Sequence, residues 1–290
     1  MKQAFILSAA LVLAAGAPVQ HAAAETKAAP PGKTAKKHVV PRKAAAHAGS
    51  KTFHQAQVLE EDNPAELFEL KGKELWKEKR GPKHASLEQC NLGLGPGVLK
   101  GAYVQLPRYF ADVGKVMDAE RRLVYCMVTL QGFKQADLAK KPFSTPDHTP
   151  DVVSLMAYVA SESRGMKIAT PQKTAQEREA YAVGREIFNY RAGPYDFSCA
   201  SCHGQKGGRI RGQQLPDLAS KEQAINGYQG WPGYRLTGGV MHTLQWRMND
   251  CFRQQRFPEP GYVSETITDL LTYLAVNANG HVYQGPGIKR

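Results

Sequence analysis

The chain repeats itself. Gly72-Lys-Glu-Leu-Trp-Lys-Glu-Lys-Arg-Gly-Pro82 lies against Gly184-Arg-Glu-Ile-Phe-Asn-Tyr-Arg-Ala-Gly-Pro194, and without a gap Ser86 then meets Ser198. The match returns at Arg122-Leu-Val-Tyr-Cys126 against Arg247-Met-Asn-Asp-Cys251. It returns again at Leu155-Met-Ala-Tyr158 with Gly165, against Leu270-Leu-Thr-Tyr273 with Gly280. An ordered series at matching spacing, broken by one modest insertion in the second half, calls for two copies of one supersecondary plan. Each copy reads as a helix, a loop, a middle segment ending in R-x-x-x-C, and a closing helix. Leu67, Leu70 and Leu75–Trp76 fall at helical intervals, as do Tyr181, Ile187 and Phe188. Val152, Leu155, Met156 and Val159 mark one closing helix, and Ile267, Leu270, Leu271 and Leu274 the other. Trp76, Tyr158, Phe188 and Tyr273 are expected where those helices cross. Gly207-Gly208, Pro216, Gly227, Gly230, Pro232, Gly233 and Gly238-Gly239 predict wrapping loops rather than sheet.

Only the second copy carries a complete chemical motif, Cys199-Ala-Ser-Cys202-His203. C-x-x-C-H is the attachment signature of a c-type haem. Two thiols at this spacing add to the two vinyl groups of one porphyrin, and the imidazole becomes the proximal iron ligand. A zinc half-site would want a second ligand pair with zinc spacing, and the chain has none. In the first copy Leu87 stands opposite Cys199, Cys90 opposite Cys202, and Asn91 opposite His203. That copy keeps one thiol and has lost the other thiol and the imidazole. The expected fold class is all-α: two tandem cytochrome-c-like domains, a haemless one at 53–165 and a haem-binding one at 166–290. Pro142 to Pro150 is a loop inside the first, and Met166–Thr174 links the two.

Residues 1–24 read as a secretory signal. Lys2 gives the positive start, Phe5–Ala15 the apolar run, and Ala22-Ala23-Ala24 the small-residue cleavage site. The apolar run is too short to span a membrane, and no later stretch is long enough. In a bacterium this places the mature chain in the periplasm, where haem attachment and disulfides are both permitted. Residues 25–52, rich in Ala, Lys and Pro, lack apolar periodicity and are expected to be a disordered basic arm. The net charge of +12 is concentrated there: residues 1–51 carry eight lysines and arginines against Glu25 alone, leaving +5 for the folded body. Charge of this kind gives no basic stripe on a folded element, so nucleic-acid binding is not expected.

Five cysteines are present. Haem takes Cys199 and Cys202. Cys90 and Cys126 share one expected domain and have no haem to bind, so in an oxidising compartment they are expected to pair rather than remain buried thiols. Cys251 is left over, and three roles are open to it: an inert core thiol, a contact to another subunit, or the distal ligand of the haem. Met241, Met248 and His242 compete for that ligand position. Arg247 lies one helical turn before Cys251, and Arg253 and Arg256 follow closely; cations favour a thiolate, while Asp250 opposes it. This chemistry favours Cys251 over a methionine.

At this point the residues resemble a known family. C-x-x-C-H in the second of two cytochrome-c-like domains, then Arg247-x-x-x-Cys251-Phe252-Arg253 running into Pro258-Glu-Pro260, in an exported chain, is similar to the SoxA family of bacterial thiosulfate oxidation. The likeness covers roughly residue 55 to the end, and Tyr234-Arg235-Leu236 through Pro260 is its specific part. Some members carry two haems. Leu87 and Asn91 depart from that pattern and resemble the single-haem branch, in which a disulfide replaces the first haem. The resemblance implies an L-cysteine S-thiosulfotransferase that pairs with a small monohaem cytochrome, SoxX, and joins thiosulfate oxidatively to a cysteine of the carrier SoxYZ. It implies one covalent haem c on Cys199 and Cys202, with His203 proximal and Cys251 distal. It further implies that Cys251 is a catalytic persulfide and that Arg247 contacts the substrate. The competing reading is a plain periplasmic electron-transfer cytochrome c in which Cys251 is structural.

Overall fold

The computed structural model describes residues 63–210 and 213–289. The expected signal peptide, the basic arm and the first ten positions of the expected first domain lie outside the described residues. In chain order the elements are helix α1 (Ala65–Lys77), a 3₁₀ turn (Tyr103–Gln105), strands β1 (Arg108–Phe110) and β2 (Lys115–Met117), then helices α2 (Ala119–Thr129), α3 (Gln135–Ala139) and α4 (Asp151–Ser161). The second half has α5 (Ala175–Asn189), α6 (Cys199–His203), β3 (Arg209–Ile210), β4 (Gln213–Gln214) and α7 (Ala224–Tyr228). It closes with β5 (Gly233–Arg235), β6 (Val240–His242), α8 (Leu244–Gln254), α9 (Glu265–Asn277) and β7 (Gly287–Lys289).

Each half is held by one helix crossing, and both crossings rest on a glycine. α1 packs on α4 and α5 packs on α9. A Cβ on Gly72 would sit 2.0 Å from the Ser154 carbonyl oxygen, and one on Gly184 would sit 1.9 Å from that of Asp269. Only glycine lets the backbones come this close. One turn on, the expected aromatics meet: Trp76 against Tyr158 with ring centroids 6.4 Å apart, and Phe188 against Tyr273 at 5.1 Å. The hydrophobic stripes of α4 and α9 are buried as the periodicity predicts. On α1 the prediction needs correction: Leu67 and Leu70 are 70% and 61% exposed. The inward face is set by Gly72, Leu75 and Trp76, which leaves those two leucines facing away from α4.

The all-α expectation also needs adjusting. The fold is mostly helical with short strands, and the Gly/Pro-rich run expected to be loop holds part of a three-stranded sheet in the order β6-β5-β7. Gly239, at a φ of +64°, lets the chain reverse between β5 and β6, and both Gly238 and Gly239 donate to the Arg235 carbonyl. β7 then adds in parallel beside β5, pairing Arg235 with Lys289. That long-range pairing leaves no local signature in sequence.

The halves share one compact unit. Asp118 caps α2 by accepting from the Glu120 and Arg121 amides, and the same carboxylate accepts from Gln245 Nε2 on α8 and from the Thr268 hydroxyl on α9. Tyr103 and Tyr283 both donate to the Trp231 carbonyl, at 2.9 and 2.7 Å, while Tyr228 donates to that of Leu106. The 166–174 segment, expected as the link between the two domains, is non-helical and is pinned through Ala169 N to Val104 O and Ile168 N to His281 O. Beside Asp118, Glu120 is buried, accepts from the Tyr262 hydroxyl at 2.8 Å, and has its carboxyl pushed up to about 8 by burial.

Two tests follow from this packing. Gly184→Ala forces a methyl into the Asp269 carbonyl and is expected to cost about 1–3 kcal/mol or more, read as a lower midpoint of urea unfolding. Glu120 holds a proton in the folded chain between pH 4.5 and about 8 that the unfolded chain has released. Its contribution is therefore full below pH 4.5 and is lost as pH rises through 8. Glu120→Gln is expected to flatten this pH dependence, measured as urea midpoints at pH 5, 6.5 and 8. Parallel pH profiles for both proteins would exclude Glu120 as the source.

Candidate active site

The C-x-x-C-H motif forms the single turn α6. Ser198 Oγ accepts from the Ser201 amide at 3.1 Å, and Ser201 Oγ accepts from the Ser198 amide at 2.9 Å. This reciprocal cap starts the turn where the motif starts, and positions three and four apart then share a face, bringing Cys199, Cys202 and His203 together. The Leu218 amide donates to the His203 carbonyl at 2.8 Å, and His203 Nδ1 lies 3.1 Å from the Pro216 carbonyl oxygen. A carbonyl only accepts, so Nδ1 carries the hydrogen and Nε2 presents the lone pair a metal needs. Burial, with a smaller push from Arg247, lowers the imidazole pKa and keeps that lone pair available.

α8 supplies the opposing sulfur. Its cap is Thr243, whose hydroxyl accepts from the Trp246 amide at 3.2 Å. Arg247 and Cys251, four residues apart, lie on one face of α8. Cys251 feels Cys202 electrostatically, and Cys199 feels both Cys251 and Cys202. The three cysteines outside the disulfide are therefore within electrostatic reach of one another, although Cys251 follows the others by the whole middle segment. Burial pushes the Cys199 thiol up to about 12. It also raises Cys251, where Asp250 adds to the effect and Arg247 and Arg235 oppose it. Cations nearby were expected to favour the thiolate; in the protein matrix alone burial outweighs them.

The guanidinium cluster is smaller than the sequence suggests. Asp250 accepts from Arg247 at 3.2 Å, Arg253 at 2.6 Å and Gln254 at 2.6 Å, so Arg253 is spent on that carboxylate. Arg256 turns away to lie over the Tyr195 ring. In its place the fold brings Arg235, over the Trp246 ring at 5.6 Å, and Lys289, which donates to the Gln229 carbonyl at 2.7 Å. Burial and the neighbouring Arg247 lower both cations, Lys289 to about 8. Arg235 lies in the Tyr-Arg-Leu stretch without a role read for it, and Lys289 reaches the site only through the β5–β7 pairing. The rival distal ligands lie in apolar surroundings, and the His242 Nδ1 is buried without a hydrogen-bond partner. Met241 and Met248 belong to the hydrophobic core, and His242 stacks on Trp246 with centroids 3.6 Å apart.

Comparison with known proteins decides the family. The family model described as "SoxA/TsdA, cytochrome c domain" matches residues 71–168. The L-cysteine S-thiosulfotransferase subunit SoxA of Hydrogenophilus thermoluteolus is 47% identical over 80% of this chain and 85% of its own. That of Hydrogenobacter thermophilus is 32% identical over 78% of this chain and 82% of its own. The chain belongs to the SoxA family of L-cysteine S-thiosulfotransferase subunits. A crystal structure of SoxXA from P. pantotrophus superposes with a TM-score of 0.65, at 25% identity, covering 80% of each chain.

Membership of this cytochrome c family implies a covalent haem c, and the donor set fits one: two thiols and a neutral imidazole on one turn, with Nδ1 already committed to a carbonyl. No cluster of three or more His, Cys, Asp or Glu able by itself to hold a metal ion occurs among the described residues. In the first half, Cys90 and Cys126 are joined as expected, with Cα atoms 5.6 Å apart. Leu87, opposite Cys199 in the repeat, is fully buried. Asn91, opposite His203, accepts from the Gly93 and Gly95 amides and so stabilises the loop. The disulfide spans 36 residues. Loop-closure entropy gives it about 3–4 kcal/mol. Cys90→Ala with Cys126→Ala is expected to lose that much in denaturant unfolding while the haem absorbance per chain stays unchanged.

Proposed function

We propose that this chain is the catalytic cytochrome subunit that conjugates thiosulfate to a cysteine of a SoxYZ-type carrier. The single observation that carries the reading is the convergence of Cys251 and Arg247, both on α8, with the C-x-x-C-H turn. In this reading 53–165 and 166–290 are tandem cytochrome-c-like domains, the first haemless. The family match on residues 71–168, the half without the motif, supports a cytochrome origin for that half. Cys199 and Cys202 would hold the one haem covalently, and His203 and Cys251 would ligate its iron. The chain is exported to the periplasm by residues 1–24 and works beside a SoxX-type monohaem cytochrome. The likeness to SoxXA supports that partner.

Bound haem c supplies a one-electron acceptor next to the reacting sulfur and an exit to the partner. The remaining steps belong to this chain's residues. Arg247 presents a guanidinium fork to the oxygens of the thiosulfate dianion, with Arg235 and Lys289 adding positive charge nearby. The sulfane sulfur of thiosulfate bonds to the sulfur on Cys251, and two electrons leave, one at a time. The carrier cysteine gives its proton to solvent, and its thiolate attacks the sulfane sulfur. The bond to Cys251 breaks, its sulfur departs with the electron pair, and the carrier keeps an S-thiosulfonate. An extra sulfur atom on Cys251, making it a persulfide, lengthens the reach of the nucleophile without changing this balance.

Cys251→Ala is expected to leave a haem protein that conjugates thiosulfate to the carrier at least a hundredfold more slowly. Intact mass before and after reduction is expected to show one haem, one disulfide and any added sulfur on Cys251. A Cys251→Ala protein of unchanged activity would leave only an electron-transfer cytochrome.

A further inference from the structure

The first half retains a cavity where the second half has its reaction centre. It measures about 510 Å³ and is lined by Asn91, Arg108, Phe110, Arg122, Tyr125 and Cys126, among others. In the repeat, Asn91 answers to His203, Arg122 to Arg247 and Cys126 to Cys251. The cavity is thus the duplicate of the centre just described, with its sulfur locked into the disulfide.

Its charges are arranged for an anion. Arg122 is 3% exposed and is held by Nε to the Asn91 carbonyl at 2.8 Å and by Nη2 to Asp112 at 2.8 Å. The Phe110 and Tyr125 rings flank its guanidinium, with centroids 4.1 and 4.8 Å away. Its Nη1 is buried without a hydrogen-bond partner, a donor left unused. Arg108 also lines the cavity, its stem seated on Gly93, where a Cβ would come 2.4 Å from Arg108 Cδ. No hydrogen bond or ion pair holds the Arg108 guanidinium among the described residues. Asp112 offsets one of the two positive charges, but it is half-exposed and free to turn to water. Asp250 stands in the same relation to Arg247 in the second half.

We infer that this cavity is a second binding site for a sulfur oxyanion of the substrate class, gripped by Arg108 and Arg122 and barred from reaction because Cys126 is spent in the disulfide. The choice of anion rests on the proposed function; the site itself rests on the two arginines.

The test is equilibrium dialysis of radiolabelled thiosulfate against the holo heterodimer without carrier. The wild type is expected to bind two equivalents. Arg108→Gln is expected to weaken one site at least tenfold while the rate of conjugation at saturating thiosulfate stays unchanged. Arg247→Gln is expected to remove the other equivalent. Competition by sulfate then separates a general oxyanion site, which sulfate empties, from a thiosulfate-selective one. A wild type that binds a single equivalent, insensitive to Arg108→Gln, overturns the inference and leaves the conjugation chemistry standing. Loss of conjugation in Cys251→Ala is read independently of either result.

Discussion

One carboxylate joins what the sequence wrote as two copies. Asp118 begins α2 in the first half by capping its first amides, and the same two oxygens reach across to Gln245 on α8 and Thr268 on α9. Gln245 passes the constraint on by accepting from the Val263 amide. α8 carries Arg247 and Cys251, so the orientation of both side chains depends on a residue in the other half. A buried carboxylate with this many donors is costly to leave partly satisfied, which makes the arrangement specific as well as stabilising. The tyrosines on the Trp231 carbonyl serve the same union from the far side of β5.

The centre itself illustrates a contest between burial and charge. Arg247 and Arg235 favour an ionised Cys251, and Asp250 and the apolar surroundings disfavour it; burial is the largest influence. A thiol in such a place stays protonated unless a stronger positive centre is added, and a bound metal ion is such a centre. Charge counted along a helix misled here because Arg253 and Arg256 are close in sequence but committed elsewhere, one to Asp250 and one to Tyr195.

Most of the framework was legible in the sequence because its causes are local or repeated. The stripes on α4 and α9, the aromatic pairs of both crossings and the paired Cys90 and Cys126 all follow from spacing or from the duplication. What escaped was non-local. The sheet β6-β5-β7 is assembled by segments far apart in the chain, so the Gly/Pro-rich run looked like loop, and Lys289 showed no connection to the site. The exposed Leu67 and Leu70 show a second limit: α1 satisfies helical periodicity on more than one face, and Gly72 chose which one turned inward.

The two glycine crossings are the same joint used twice, matched to within a tenth of an ångström in how closely a carbonyl approaches. Hinges of identical gauge make the segments between them exchangeable parts. The features in which the halves differ, such as the C-x-x-C-H turn and the Cys90–Cys126 disulfide, lie between these crossings and leave them intact. A chimera that transplants the 198–218 loop and its α8 counterpart between the crossings of the first half would inherit a frame already cut to receive them.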